Sequence, residues 1–177
     1  MRIVGGKYKG KSIDVPSGFN ARPTTDFAKE ALFDILDNEY EFENLKVLDL
    51  FGGTGSISYE FASRGAGRIW CVEMNPKHAS FISSQARGLG ISNITVVKHN
   101  VFDFLPLCNL KFDMIFADPP YDISGLESIP DKVLGLDILY PGCYFILEHG
   151  REHSFKLHPN FVKEKIYGRV HFTFFQK

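Results

Sequence analysis

From Lys46 onward, short apolar runs alternate with stretches whose apolar residues recur every three or four positions. Val47-Leu48-Asp49-Leu50, Arg68-Ile69-Trp70-Cys71-Val72-Glu73, Ile94-Thr95-Val96-Val97, Phe112-Asp113-Met114-Ile115-Phe116-Ala117 and Cys143-Tyr144-Phe145-Ile146-Leu147 read as five buried strands. Between them the spacing predicts a helix carrying Ile57, Phe61 and Ala62, and a helix beginning at Pro76, where proline is tolerated. It also predicts a short helix near 101–105 and another within 126–136. Five β/α units in succession predict an α/β, doubly wound, mostly parallel sheet covered by helices on both faces, with ligands at the C-terminal edge of the strands. Residues 162–166 and 170–175, around Gly168-Arg169, read as a closing antiparallel hairpin and bring the sheet to seven strands.

Upstream, Pro23-Thr24-Thr25-Asp26 is a helix-start signal, and Ala28, Ala31, Leu32, Ile35 and Leu36 continue it, predicting a helix over about 26–37. Ile3-Val4, Gly5-Gly6 and Ser12-Ile13-Asp14-Val15 predict a small β-hairpin arm with a basic, Tyr8-bearing centre, followed by a loop over 16–22. The division expected is one domain over 1–177, an arm at 1–22 and a core at 23–177.

At 177 residues, one core burying roughly 70% of the unfolded surface is expected. No apolar stretch approaches the ~18 residues of a membrane helix, and the N-terminus has no apolar leader, so a cytoplasmic protein is expected. Cys71, Cys108 and Cys143 are widely spaced and odd in number, which predicts small buried thiols and no metal site. The net charge of −1 is uneven: residues 1–24 carry +4, residues 151–177 carry +4 and the middle carries −9. Basic ends suit a polyanionic partner. In an extended arm, Lys7, Lys9 and Lys11 would share one face around Tyr8 and touch a phosphate backbone, or serve only to guard an exposed strand edge.

The densest chemistry lies at the end of the fourth strand, in Asp118-Pro119-Pro120-Tyr121. Each proline fixes its own φ and biases its predecessor towards extended geometry, so the Asp118 carboxylate, the Pro119 carbonyl and the Tyr121 ring are presented together. Two oxygens that accept from an NH2 group and a ring that stacks suit a planar base with an exocyclic amine; a plain strand-ending turn is the alternative. The loop Asp49-Leu50-Phe51-Gly52-Gly53-Thr54-Gly55 lacks the Gly-Lys-Ser/Thr of a phosphate loop, and Ser58 stands where a dinucleotide fingerprint needs its third glycine. What remains is a glycine loop preceded by an acid, suited to a cationic amino-acid moiety. Glu73, about 20 residues further on, stands where doubly wound folds place a ribose-binding acid. Asn100 could read an adenine edge beside the Val101 N–H, or simply cap a helix.

Together these features resemble the class I S-adenosylmethionine-dependent methyltransferases of exocyclic amines. The N-terminal stretch of residues 2–11, then Arg22-Pro23-Thr24-Thr25-Asp26 with Lys29-Glu30 and Phe33, is similar to the bacterial RsmD family. That resemblance covers nearly the whole chain, is looser over 143–176, and departs at Gly53-Thr54. It implies a Rossmann-like methyltransferase fold and methyl transfer from S-adenosyl-L-methionine to N2 of a guanine in 16S ribosomal RNA, either free or in a small-subunit assembly particle, leaving S-adenosyl-L-homocysteine. It implies Asp118, Pro119, Pro120 and Tyr121 as the catalytic segment. It also implies Arg22, Thr24, Thr25, Asp49, Phe51, Gly52, Gly53, Gly55, Glu73, Met74, Asn100, Val101 and Asp118 around the cofactor, with Lys7, Tyr8, Lys9 and Lys11 on RNA. No metal, membrane or obligate protein partner is implied. A DNA adenine-N6 methyltransferase shares the tetrapeptide, although the chain leaves little room for a separate DNA-recognition domain. A catalytically silent nucleic-acid-binding module would have no need of both Asp118 and Tyr121. A nicotinamide dehydrogenase is disfavoured by Ser58.

Overall fold

The computed structural model describes residues 1–19, 25–120 and 123–177. The chain runs α1 (Asp26–Glu39), β1 (Lys46–Leu50), α2 (Ser56–Ser63), β2 (Arg68–Glu73), α3 (Pro76–Gly88), β3 (Ile94–Lys98) and α4 (Val101–Phe104). It continues through β4 (Phe112–Ala117), α5 (Ile129–Leu134), β5 (Leu139–His149), β6 (Phe161–Tyr167) and β7 (Val170–Gln176). The seven strands form one sheet in the order β3-β2-β1-β4-β5-β7-β6, parallel from β3 through β5 and antiparallel at β5–β7 and β7–β6. The doubly wound α/β sheet with its closing hairpin is thus the architecture expected. The strand order reverses between β1 and β4, which is where such sheets open a ligand crevice.

Period-two alternation sorts the side chains onto the two faces. Val47, Ile69, Cys71, Met114, Phe116, Ile146, Phe172 and Phe174 pack with α1, α2 and α3, while Leu48, Leu50, Val72, Ile115, Ala117, Phe145, Leu147 and Phe175 pack beneath α5. The same alternation sends Asp49, Glu73, Asp118 and Glu148, all at strand ends, towards the α1–α3 side. Pro76, expected at a helix start, occupies the first turn of α3, and Pro130 does the same in α5. β5 begins earlier than its apolar run, at Leu139, because the exposed stretch Tyr140-Pro141-Gly142 continues the strand across a register shift against β4, with Gly142 supplying a positive φ of 79°. Of the three cysteines only Cys71 is fully buried; Cys108 and Cys143 are half-buried.

The arm departs from expectation. Its pairing is reduced to a single bridge, Arg2 with Ser12, and residues 5–10 form a string of bends and turns. Lys9 N–H donates to Gly6 and Lys11 N–H to Tyr8. The lysines do not lie along a strand, so the period-two argument for their shared face does not apply. The cause is docking. Val4 N–H donates to the buried Glu60 carboxylate at 2.9 Å, Lys7 N–H to the Ser63 carbonyl at 2.7 Å and Tyr8 N–H to Ser63 Oγ at 2.9 Å. Gly6, at φ +70°, is forced by this approach, since a Cβ there would overlap the Ser63 carbonyl. Ile3 and Ile13 join the main core, so the arm belongs to the same packed body.

Candidate active site

The glycine loop leaves β1 and turns into α2. Phe51 has a positive φ of 65°, which is costly for a bulky side chain, and its ring meets Phe102 edge-on at 6.1 Å. Gly52 N–H donates to the Val72 carbonyl at 2.8 Å, and Gly53 N–H to Glu73 Oε2 at 2.7 Å. Gly55, at φ +81°, caps α2, where a Cβ would strike the Tyr59 ring. The other oxygen of Glu73 accepts Asn75 N–H at 2.6 Å. Glu73 therefore braces the loop, with His78 Nδ1 3.8 Å from the same oxygen. A carboxylate has about four acceptor positions, so capacity for a diol remains.

Asn100 is the N-cap of α4: its Oδ1 accepts Phe102 N–H at 2.8 Å, and its Nδ2 faces Met74 Sδ at 3.5 Å. The helix-cap reading thus accounts for its oxygen, and the Met74 contact engages one of its amide hydrogens. Met74 is 64% exposed beside it and offers a free apolar surface. Thr25 caps α1, its Oγ1 accepting Ala28 N–H at 3.2 Å. Arg22, Thr24 and Tyr121 lie outside the described residues.

Four acids converge on one side of the strand ends. Asp49 is buried, accepts a 2.5 Å hydrogen bond from Ser58 Oγ, and has its pKa pushed up to about 7, chiefly by burial and further by Glu73. Asp118 extends β4, its N–H donating to the Leu50 carbonyl at 3.4 Å. The residue keeps some exposure, but its carboxyl lies deep. Burial first, then the charges of Glu148 and Asp49, raise it well above the ordinary carboxylate range. Pro119 is buried and Pro120 exposed. Such a group of acids favours a positively charged occupant, which would draw the protons off and satisfy the ionised carboxylates. A sulfonium-bearing amino acid has that character, while Met74 and the Asn100 amide suit a purine; the donor set therefore fits S-adenosylmethionine.

The family model described as "Conserved hypothetical protein 95" matches residues 1–176. The ribosomal RNA small subunit methyltransferase D of Buchnera aphidicola subsp. Acyrthosiphon pisum is 33% identical over 171 residues, covering 95% of this chain and 88% of the relative. The chain belongs to the RsmD family. The Escherichia coli K12 ribosomal RNA small subunit methyltransferase D is 27% identical over 180 residues, covering 100% of this chain and 90% of its own. A solved structure of a Thermus thermophilus hypothetical protein superposes with a TM-score of 0.89 at 28% identity, over 100% of this chain and 99% of that one. The Escherichia coli protein yhhF gives 0.86 at 27%, over 100% and 97%.

Within this RsmD member, two site residues escaped the sequence reading. Glu148 is the last residue but one of β5 and directly follows the apolar run 143–147, as Asp118 follows the run of β4, so its place after a strand's apolar run was the signal that could have found it. Lys29 lies on the apolar stripe of α1 with Leu32, Phe33 and Leu36, yet is a lysine only 1% exposed. Its Nζ donates to the Arg2 carbonyl at 2.6 Å and to Ser56 Oγ at 3.0 Å, and burial lowers its pKa against the pull of Glu60 and Asp26. It fastens the arm to the start of α2. A second polar group, His149, Glu164 and His171, brings its ligand-type atoms within 4.8 Å of one another. His149 donates or accepts with Gly150 and Thr173, and Glu164 pairs with His171 and Lys156, so hydrogen bonding and charge already account for these groups.

Proposed function

We propose that this chain methylates the exocyclic N2 amine of a guanine in 16S ribosomal RNA, using S-adenosylmethionine. The observation that carries the reading is the group of buried acids at the β1–β4 crevice, to which Asp118 belongs. S-adenosylmethionine supplies an already activated methyl when bound, so the chain's contribution is to hold the base nitrogen in line with it. In this reading Glu73 binds the ribose, the Asn100 amide and Val101 N–H meet the adenine edge, and Phe51, Met74 and Gly52, Gly53 and Gly55 line the cofactor. Asp49 offsets its positive charge, and Thr25, with Arg22 and Thr24, closes the methionine end. The Asp118 carboxylate and the Pro119 carbonyl accept the guanine NH2 protons, favouring a more tetrahedral nitrogen. Pro120 holds the segment rigid, and Tyr121 stacks on the base.

Labelled cofactor incubated in parallel with undermethylated small-subunit ribosomal RNA and with unmethylated duplex DNA, followed by nucleoside analysis, tests this directly. Label in N2-methylguanosine supports it; label only in N6-methyladenine of duplex DNA selects the rival substrate, and no transfer to either rejects both.

Glu73→Ala should weaken S-adenosylmethionine binding by about 1.5–3 kcal/mol, the range for hydrogen bonds to a charged group. Because Glu73 also holds Gly53 and Asn75, the melting temperature should fall with it. Calorimetric titration beside thermal melts reads both, and unchanged affinity would remove Glu73 from the cofactor site.

Lys7, Lys9 and Lys11 are all exposed at the arm's tip and offer charge to an RNA backbone, while half-buried Tyr8 packs on the core. The tip sits at the far end of α2, an eight-residue helix about 12 Å long, away from the glycine loop. The triple Ala variant should weaken RNA binding and flatten its salt dependence by ~0.7–0.9 log units per lost contact, with cofactor affinity intact. Normal RNA binding at every salt concentration would withdraw the arm from the interface.

A further inference from the structure

β7 runs antiparallel to β5, so the chain crosses from β6 to β7 at the same sheet edge that carries Asp118: Ala117 pairs with Leu147, His149 with His171, and Tyr167 with Val170. At that edge the hairpin tip meets the first turn of α1. Phe27 is 69% exposed and Ile166 55% exposed. The Tyr167 ring stands edge-on to Phe27 at 6.0 Å and is braced from behind by Phe172 at 6.2 Å. Lys165 and Arg169 stand two residues to either side of Tyr167 in the chain, both exposed; Lys165 feels the charge of Glu39 at the other end of α1, and neither is held in an ion pair within 4 Å among the described residues. Asp26, the acid next to Phe27, is already engaged by Arg2 and Lys29.

We propose that Phe27, Tyr167 and Arg169 form a subsite for single-stranded RNA, on which a nucleotide flanking the target base stacks while its phosphate meets the cations. The inference rests on the RNA substrate proposed above. A fixed aromatic surface with exposed cations nearby is the usual chemistry of sequence-tolerant strand binding, because every base has a face to stack. Arg169 and Lys165 make it complementary to a polyanion, whereas a second copy of this chain would bring like charges together. The platform lies three strand spacings from β4, about 14 Å, so it addresses a neighbouring nucleotide and not the one being modified. Its role is positioning.

The test is fluorescence anisotropy of the full chain with a short labelled single-stranded RNA of mixed sequence, with cofactor affinity measured in parallel. Phe27→Ala, at an exposed position that leaves the core intact, should weaken RNA binding about 5- to 150-fold, the equivalent of one lost stacking contact. Phe27→Tyr should restore it. Arg169→Glu should weaken binding and reduce its salt dependence, and S-adenosylmethionine affinity should be unchanged throughout. If Phe27→Ala and Arg169→Glu bind RNA like the unaltered protein while methylation persists, the subsite is wrong and the proposed function stands. An unaltered protein that neither binds nor methylates RNA overturns both. A dimer in sedimentation that Phe27→Ala dissolves, with RNA affinity intact, assigns the patch to a second copy and also overturns the proposal.

Discussion

Asp118→Ala protein should bind S-adenosylmethionine within a few-fold of the unaltered chain and yet lose about 10²–10³-fold in turnover, the size seen when one positioned polar group is removed from a reacting centre. Asp118 is proposed to meet the target amine rather than the cofactor. Its removal leaves Glu73, Asn100 and the glycine loop in place. Deleting one of three mutually repelling acids should also ease Asp49 and Glu148, so the unliganded variant should be at least as stable as the parent. Asp118→Asn separates two roles. It keeps a carbonyl that can accept from the guanine amine but cannot take a proton, so substantial residual activity would mean that hydrogen-bond acceptance is sufficient. Single-turnover rates with saturating cofactor give the answer, and Asp118→Ala turning over at more than a tenth of the parental rate would remove this carboxylate from the reaction.

The second large effect is a pH dependence centred on Asp49. Its folded pKa of about 7 lies above the ordinary value of 3.8, so between those pH values the folded chain holds a proton that the unfolded chain has released. Stability contributed by this group is therefore complete below about pH 4 and is lost as pH rises towards 7, by roughly 4 kcal/mol at most. His149 acts in the opposite sense: burial lowers its pKa, so stability is gained as pH rises through its unfolded value. The quantity to measure is thus the difference between the parent and Asp49→Asn in urea unfolding from pH 4.5 to 8. The parent should lose stability relative to the variant across that range. A positively charged ligand favours the ionised carboxylate, so S-adenosylmethionine affinity should rise with pH up to about 7. Binding at pH 6 should also release protons, visible as a calorimetric heat that depends on the buffer. Parallel stability profiles for parent and variant, with no proton release, would mean that Asp49 is an ordinary structural acid.

Much of this site was legible one strand at a time. The sequence of apolar runs and helical stripes determined the doubly wound sheet, and position after each run determined that Asp49, Glu73, Asn100 and Asp118 share one edge, because a parallel sheet aligns the C-terminal ends of its strands. Strands β2 and β4 match their apolar runs residue for residue, since strands buried on both faces carry apolar residues throughout. Glu148 was accessible to the same rule.

Other features only the tertiary structure decided. The raised pKa values of Asp49 and Asp118 depend on how deeply both are buried and then on the acids near each (Glu73 for Asp49, Glu148 and Asp49 for Asp118), which no spacing in the chain specifies. The arm's lysines were misread because alternation assumes an extended backbone, whereas Glu60, Ser63 and Lys29 on two separate helices bind the arm and fold its tip into turns. Phe27 and Tyr167, 140 positions apart in the chain, meet because β6 is the last strand of the sheet and α1 packs against it. Local patterns record the period of a backbone and the face it buries, but the distance between two such faces is set by the packing of all of them at once.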